Sequence, residues 1–407
     1  MKLLFILAWR NIWRNKRRSL ITMTSVLFAV FFAIVLRSFQ MGAYENMISN
    51  MVGSYSGFIQ IHDNGFWDEQ TLENTFEMPT DSIRSIADLD GVASVTPRLE
   101  SFSLVSTGRL TKGTLILGID PSQELEGLGL QEKIHPGNIF VNGETPGVVI
   151  GSGMAEYFNI GVGDTLVFLG QGYHGISANA QYPLVGILDV KNPLLSKSLV
   201  LMPLDEAQYL YGAQNRLSTL IVTPKNESKY KTIQSTIKDY LPSSYEVMNW
   251  EEFLPELRQT IDADSSGGQI FLGVLYMIIS FGVFGTILMM TAERSREFGV
   301  LISIGMKRHK LALTTMIEAT LMSLIGGVAG ALLARPITFY FNHNPLRLLG
   351  QAGDALETYG FEPLLPASLD WSITLTHSLT IVVISVVLST YAAWAIFRLK
   401  PIEVIRS

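Results

Sequence analysis

The sequence predicts a membrane protein with four transmembrane helices, a large α+β domain inserted between helices 1 and 2, and an N-terminal amphipathic helix. Three observations carry that class. Four apolar runs are each long enough, at roughly 1.5 Å of rise per residue, to cross a hydrocarbon core of about 30 Å. A polar stretch, 43–267, separates the first run from the other three. Charge is divided unevenly between the segments that the runs separate.

Residues 1–18 read as a cytoplasmic amphipathic helix on the membrane surface. Phe5, Trp9 and Trp13 recur every four residues with Ala8 and Ile12 beside them. Lys2, Arg10, Arg14, Lys16, Arg17 and Arg18 form the basic counter-face that anionic head groups attract. Such a helix serves as a topology anchor, or as an elbow that also touches a cytoplasmic partner. No small-residue cleavage site follows the next apolar run, so a removable signal peptide is not expected.

Transmembrane helix 1 is 19–42, apolar from Ser19 to Leu36 with Arg37 just beyond. Helix 2 is 268–290, whose stretch from Ile270 to Met290 carries no charge. Helix 3 is 311–334, with Glu318 its one charge, and helix 4 is 371–397. The short segment 291–310 turns the chain round between helices 2 and 3, 335–370 is an outer loop, and 398–407 is a tail. The pieces 1–18, 291–310 and 398–407 hold fourteen Lys/Arg and three acids, Glu293, Glu297 and Glu403. Segment 43–267 holds 13 Lys/Arg against 28 Asp/Glu. Positive charge stays inside, so both termini are predicted cytoplasmic and 43–267 outside.

The outer segment reads as a folded domain. Strands are predicted at 57–61, 92–105, 114–119, 147–150, 165–169, 183–190, 199–202 and 217–222, between Gly and Pro breaks. Helices are predicted at 81–89, 153–158, 205–211 and 228–241, with Asp81 and Asp205 as N-caps. Irregular mixing of the two makes the class α+β, with about 121–214 inserted as a subdomain.

Several functions are excluded. There is no cysteine, so disulfides, thiol catalysis and cysteine metal sites are absent. The six histidines (His62, His135, His174, His309, His343 and His377) do not fall at metal-ligand spacing, so no metal site is expected. Gly151-Ser152-Gly153 lacks a nucleophile-elbow frame, and Gly170-Gln171-Gly172 reads as a turn; nothing matches a Walker A loop. The acidic excess reads as a solvated surface rather than a cation site, and it argues against nucleic acid.

Glu293-Arg294, then Glu297-Phe298-Gly299-Val300-Leu301, then Ile304-Gly305-Met306 resembles the cytoplasmic motif of the mechanotransmission (type VII) ABC transporter permeases, which include lipoprotein-releasing and macrolide-exporting subunits. Phe298 stands where Ile is common. The opening Ala8-Trp9-Arg10-Asn11-Ile12-Trp13-Arg14-Asn15 is similar to that family's elbow, and Pro401-Ile402-Glu403-Val404-Ile405-Arg406 to its closing element. Gly118-Ile119-Asp120-Pro121 and Gly147 to Phe158 with Val162-Gly163-Asp164 resemble its periplasmic core.

The resemblance implies a permease in the bacterial inner membrane whose large α+β periplasmic domain is moved by ATP hydrolysis elsewhere. This chain would bind no cofactor; ATP and Mg would sit in a separate ABC ATPase subunit, two copies per complex. A second permease, identical or paralogous, a periplasmic lipoprotein carrier or adaptor, and membrane lipids complete the implied partners. Segment 291–310 would be the lever. Glu293, Arg294 and Glu297 would make charge-assisted contacts with the ATPase, Leu301, Ile304 and Met306 would fill its groove, and Gly299 and Gly305 would permit close approach or a break. The implied substrate is a lipoprotein extracted towards a carrier. Alternatives are efflux of peptides or small toxic molecules, and signalling to a cell-wall hydrolase.

Within the spans, Gly326, Gly327 and Gly330 form a small-residue strip for close helix packing. Glu318, two turns in from the cytoplasmic side, is expected to pair with a Lys or Arg there. His377 reads as interfacial. Phe28, Phe31, Phe32, Phe39 and Met41, with Phe271, Met277 and Phe281, either line an apolar substrate chamber or face lipid. Protease added to spheroplasts should cut within 43–267 and spare 291–310, which gel mapping of the fragments checks; the reverse pattern contradicts this topology.

Overall fold

The computed structural model describes residues 2–14, 16–122, 124, 134–137, 147–190, 192–358 and 361–398. Two compact units emerge. One comprises Met1–Glu45, Ile261–Leu346 and Leu364–Ser407; the other comprises Asn46–Thr260 and Arg347–Pro363. The closing Pro401 to Arg406 element lies outside the described residues.

The first unit is helical: α1 (Lys2–Arg14), α2 (Lys16–Ile48), α3 (Pro255–Glu293), α4 (Ser295–Ser303), α5 (Arg308–His343) and α6 (Trp371–Arg398). Helices α2, α3, α5 and α6 are long and apolar enough to cross a membrane. They overrun the apolar runs, because a helix already nucleated propagates through polar residues at little cost per residue. Helix α5 likewise passes through Pro336 to His343. An interior proline removes one backbone bond and can bend a helix without ending it.

In α1 the apolar surface divides. Ala8 and Ile12 are fully buried, and Ile12 packs with Met290 and Met322, while Phe5, Trp9 and Trp13 remain exposed. The central bundle core is built from Val26, Val30 and Ile34 of α2, Val283 and Ile287 of α3, Ala334 of α5 and Ile381 of α6. Close approach of α5 to α2 depends on two glycines. A Cβ on Gly326 would lie 2.6 Å from the Met23 carbonyl oxygen, and one on Gly330 would lie 2.5 Å from that of Leu27. At Gly327 the nearest atom is 3.9 Å away.

The second unit is built on strands β1 (Ile59–Asp63), β2 (Phe76–Glu77), β3 (Val92–Ser106), β4 (Thr111–Ile119), β5 (Ile134–Gly137) and β6 (Val148–Gly151). They are followed by β7 (Thr165–Gln171), β8 (Ser177–Leu188), β9 (Leu199–Pro203), β10 (Arg216–Leu217), β11 (Thr219–Pro224) and β12 (Tyr245–Asn249). Ten of these form one sheet in the order β12-β1-β11-β3-β4-β9-β6-β8-β5, with β7 pairing β3 and β8. Strands from inside and outside 121–214 thus share one sheet, joined where β4 runs parallel to β9.

Alternation along the strands loads both faces. Leu99, Ile116, Val148 and Ile150 enter one core; Leu117, Val149, Leu199 and Leu201 enter the other. The helices at 81–89 and 205–211 are observed as Thr80–Ala87 and Leu204–Leu210, with Pro79 and Pro203 at the N-cap. Asp81 and Asp205 lie instead in the first turns, where their charge still suits the helix dipole. The strand predicted at 217–222 is interrupted: Leu217 pairs with Phe76, and β11 starts at Thr219. Gly326→Ala and Gly330→Ala should each destabilise the bundle by about 1–3 kcal/mol through overpacking, with Gly327→Ala near neutral. Thermal unfolding in detergent checks the contrast.

Candidate functional site

Helix α3 ends at Glu293, and Arg294 (φ −89°, ψ 2°) forms the corner before α4. The other end of α4 is closed by a Schellman motif. Gly305 takes φ +102°, with Gly305 N–H donating to Ile302 O at 3.0 Å and Met306 N–H to Leu301 O at 2.9 Å. Lys307 is the N-cap of α5. Segment 291–310 therefore contains a nine-residue helix, Ser295–Ser303, with a defined stop at each end.

The corner is fastened by a buried charge cluster. Arg294 Nη1 lies 2.8 Å from Glu318 Oε2 and 3.1 Å from Oε1, with Arg294 6% and Glu318 1% exposed. Asn11 Nδ2 of α1 donates to Glu318 Oε2 at 3.4 Å. Arg294 Nε reaches Glu297 Oε2 at 3.4 Å, and Arg14 Nη2 meets that same oxygen at 2.5 Å. Arg18 pairs with Glu293. One guanidinium thus ties the α3–α4 corner to α5, while two arginines tie the N-terminal segment to the acids of the motif.

Beneath the cluster, Phe298 is 1% exposed and packs with Leu311, Ala312 and Ile396, and Met306 rests partly buried against the same group. The Arg294 guanidinium carbon stands 5.3 Å from the Phe298 ring centroid. The motif residues therefore divide by role. Arg294, Phe298 and Gly299 face inward, which corrects the expectation that Arg294 meets a partner: its charge is spent on Glu318. Val300, Leu301 and Ile304 remain exposed, Ile304 at 79%, beside the half-exposed Glu297. Charge and spacing alone set Arg14 and Arg18 toward lipid head groups and gave Asn11 and Val300 no contact of their own. The period-of-four pair Val300 and Ile304 was the available signal for the last.

Residues 269–401 match the FtsX-like permease C-terminal model, and residues 19–240 match the MacB-like periplasmic core domain. The chain belongs to the FtsX-like, MacB-type ABC permease family. A relative from Neisseria meningitidis, a macrolide export ATP-binding/permease protein, is 20% identical over 357 residues, 83% of this chain and 53% of its own. A probable syringafactin export ATP-binding/permease protein from Pseudomonas syringae is 21% identical over 351 residues, 83% and 52%. The chain thus spans about half the length of the curated relatives it matches. The solved periplasmic region of MacB from Actinobacillus actinomycetemcomitans is 16% identical, covering 53% of this chain and 95% of that one, with a TM-score of 0.36.

The remaining candidate residues of this FtsX-like permease are dispersed. Phe28 and Phe32 on α2, and Phe271, Met277 and Phe281 on α3, are exposed on the bundle surface. Phe31 packs partly against the bundle core, Met41 is half-buried, and Phe39 lies 5.2 Å from the ring of Phe341. His377 is buried and hydrogen-bonded to the Tyr276 hydroxyl. Arg294→Ala should cost about 3–5 kcal/mol, because it strands the Glu318 carboxylate in an apolar setting. Arg294→Met with Glu318→Leu should recover most of that loss, as unfolding in detergent would show.

Proposed function

We propose that this chain is the permease of an ABC exporter and that α4 is the lever through which an ABC ATPase drives it. One observation carries the reading: α4 is fixed at its root by the buried Arg294–Glu318 pair while its outer face presents Val300, Leu301 and Ile304 beside Glu297. Such a face suits insertion into a groove on a partner, with the acid on the rim available to a partner cation. A helix held at its base by a buried, multiply bonded ion pair moves as a unit with α5, so displacement at its tip reaches the bundle. ATP and Mg belong to the ATPase in this scheme, with two ATPase copies and a second permease copy or paralogue. Both termini and α4 lie on the cytoplasmic side, and the β-rich unit lies in the periplasm.

The substrate is proposed to be lipophilic and taken from the outer leaflet, with an acylated protein passed to a periplasmic carrier as its fullest form. The exposed apolar residues Phe28 and Phe32 of α2 and Phe271, Met277 and Phe281 of α3 support this, since they offer a surface to acyl chains. Efflux of a small amphipathic molecule is the second reading, favoured by the curated relatives named as macrolide and syringafactin exporters. Mass spectrometry of material retained after gentle solubilisation distinguishes a bound lipoprotein from a bound small molecule.

Ile304→Asp and Glu297→Lys should each leave the membrane fold intact and abolish substrate-stimulated ATP hydrolysis in the assembled complex, by tenfold or more. ATPase assays in nanodiscs check this. Unchanged stimulation in both variants would remove α4 from the coupling path.

A further inference from the structure

The β-rich unit contains a cavity of about 310 Å³ that the coupling site does not involve. Its floor is one face of the sheet. Alternation along β3 puts Arg98, Glu100 and Phe102 on that face, and register places Thr219 beside Arg98 and Leu115 beside Phe102. Its walls are aromatic and aliphatic, with Tyr55, Phe66, Trp67 and Phe253 prominent. His62 stacks on Phe66 at 4.9 Å, and Trp67 meets Phe253 at 5.9 Å.

Most polar groups around the cavity are already engaged. His62 Nε2 lies 2.9 Å from Gln60 Oε1, and its Nδ1 lies 3.0 Å from Ser218 O. Asn192 Oδ1 accepts from the backbone N–H groups of Leu194 and Leu195. Arg98 gives its guanidinium to Glu124, with Nε–Oε1 at 2.5 Å and Nη2–Oε2 at 2.9 Å, and to the Tyr55 carbonyl. Glu100 is different. Its carboxyl has no hydrogen bond or ion pair among the described residues, and neither has the Tyr55 hydroxyl. Burial raises the Glu100 carboxyl above the usual carboxylate range, with the Arg98 charge opposing. It also lowers His62 to about 4, so that ring is neutral at pH 7.

Arg98 and Glu124 pair with each other, which leaves Glu100 as the unpaired acid among the described residues that line this aromatic-walled cavity. We propose that this cavity binds a small organic cation, an amine with a ring-sized apolar body whose ammonium meets Glu100. An ammonium would supply the missing partner for the carboxylate, and aromatic faces attract cations. The volume corresponds to about ten waters at the liquid share of ~30 Å³ each, so it suits a ligand of that many heavy atoms. A lone carboxylate makes a poor metal site, which needs several ligands. The inference stands apart from the transport reading.

The test uses the full chain in detergent. Calorimetric titration with 2-phenylethylamine and with 3-phenylpropanoate, each blanked against empty micelles, compares one shape carrying opposite charge. The amine should saturate, and the carboxylate should bind at least tenfold more weakly. Glu100→Gln should weaken amine binding at least tenfold, and wild-type affinity should fall as pH drops and Glu100 takes up a proton. Should Glu100→Gln not fold, Phe66→Leu and the wild-type pH series carry the same decision. Equal binding of both probes, an amine that never saturates, or affinity untouched by Glu100→Gln and by pH would overturn the assignment. Saturation by a lysine-bearing peptide without the free amine would overturn the small-molecule class.

Discussion

Arg294 and Glu318 meet inside the helical unit, and the local architecture depends on their meeting well. Removing two charges from water costs several kcal/mol per ion, and only close geometry with further hydrogen bonds offsets that. Here the carboxylate receives one guanidinium nitrogen on both oxygens and an amide from Asn11. Three elements must be in place together for those bonds to form: α1, the α3–α4 corner and α5. A half-formed arrangement leaves a buried charge alone, which is far less favourable than either the complete cluster or full exposure. The cluster therefore enforces one geometry at the base of α4, more than it adds net stability.

That constraint explains why the motif was only partly legible in the sequence. Charge pattern placed Glu293, Arg294 and Glu297 at a surface, since Arg is almost never fully buried unless paired. For the two acids the surface assignment matches their exposure; for Arg294 the pairing clause applies. The clue lay elsewhere, in Glu318. A single acid in an apolar run needs a cation, and the nearest cations by membrane depth were those of 291–310. Membrane depth alone does not choose among the five basic residues of 291–310. Choosing requires knowing that α3 breaks at Arg294, a corner fixed by tertiary packing of Phe298 against Leu311 and Ile396 rather than by any local breaker.

The outer fold shows the same division. Strands such as 92–105, 114–119 and 199–202 were visible because β-branched and aliphatic residues recur along them between Gly and Pro breaks. Tyr245–Asn249 was missed; it is a polar edge strand held by pairing with β1. Asn192 and Asn249 cap their helices with side-chain oxygens, whereas Pro79 and Pro203 open theirs by backbone geometry alone. A capping aspartate was the expected signal at the latter two, and proline supplanted it by fixing φ near −65°. The apolar pattern of β3 also concealed an asymmetry between its faces. Leu99 and Val105 serve a dry core, while Arg98 and Glu100 occupy the face where the cavity opens.

Rigidity at the base and exposure at the tip are complementary requirements for a lever. A partner can shift the equilibrium of the permease only by as much as its contacts differ between two states. An apolar tip that is out of water when seated and in water when released supplies such a difference, at roughly 25 cal/mol per Å². The Schellman stop at Gly305 keeps that tip from fraying into α5, and the buried pair keeps the root from rotating independently. Loosening either end would let local motion absorb the displacement. In the proposed lever the inward residues Arg294 and Phe298 matter for force transfer as much as the exposed Val300, Leu301 and Ile304.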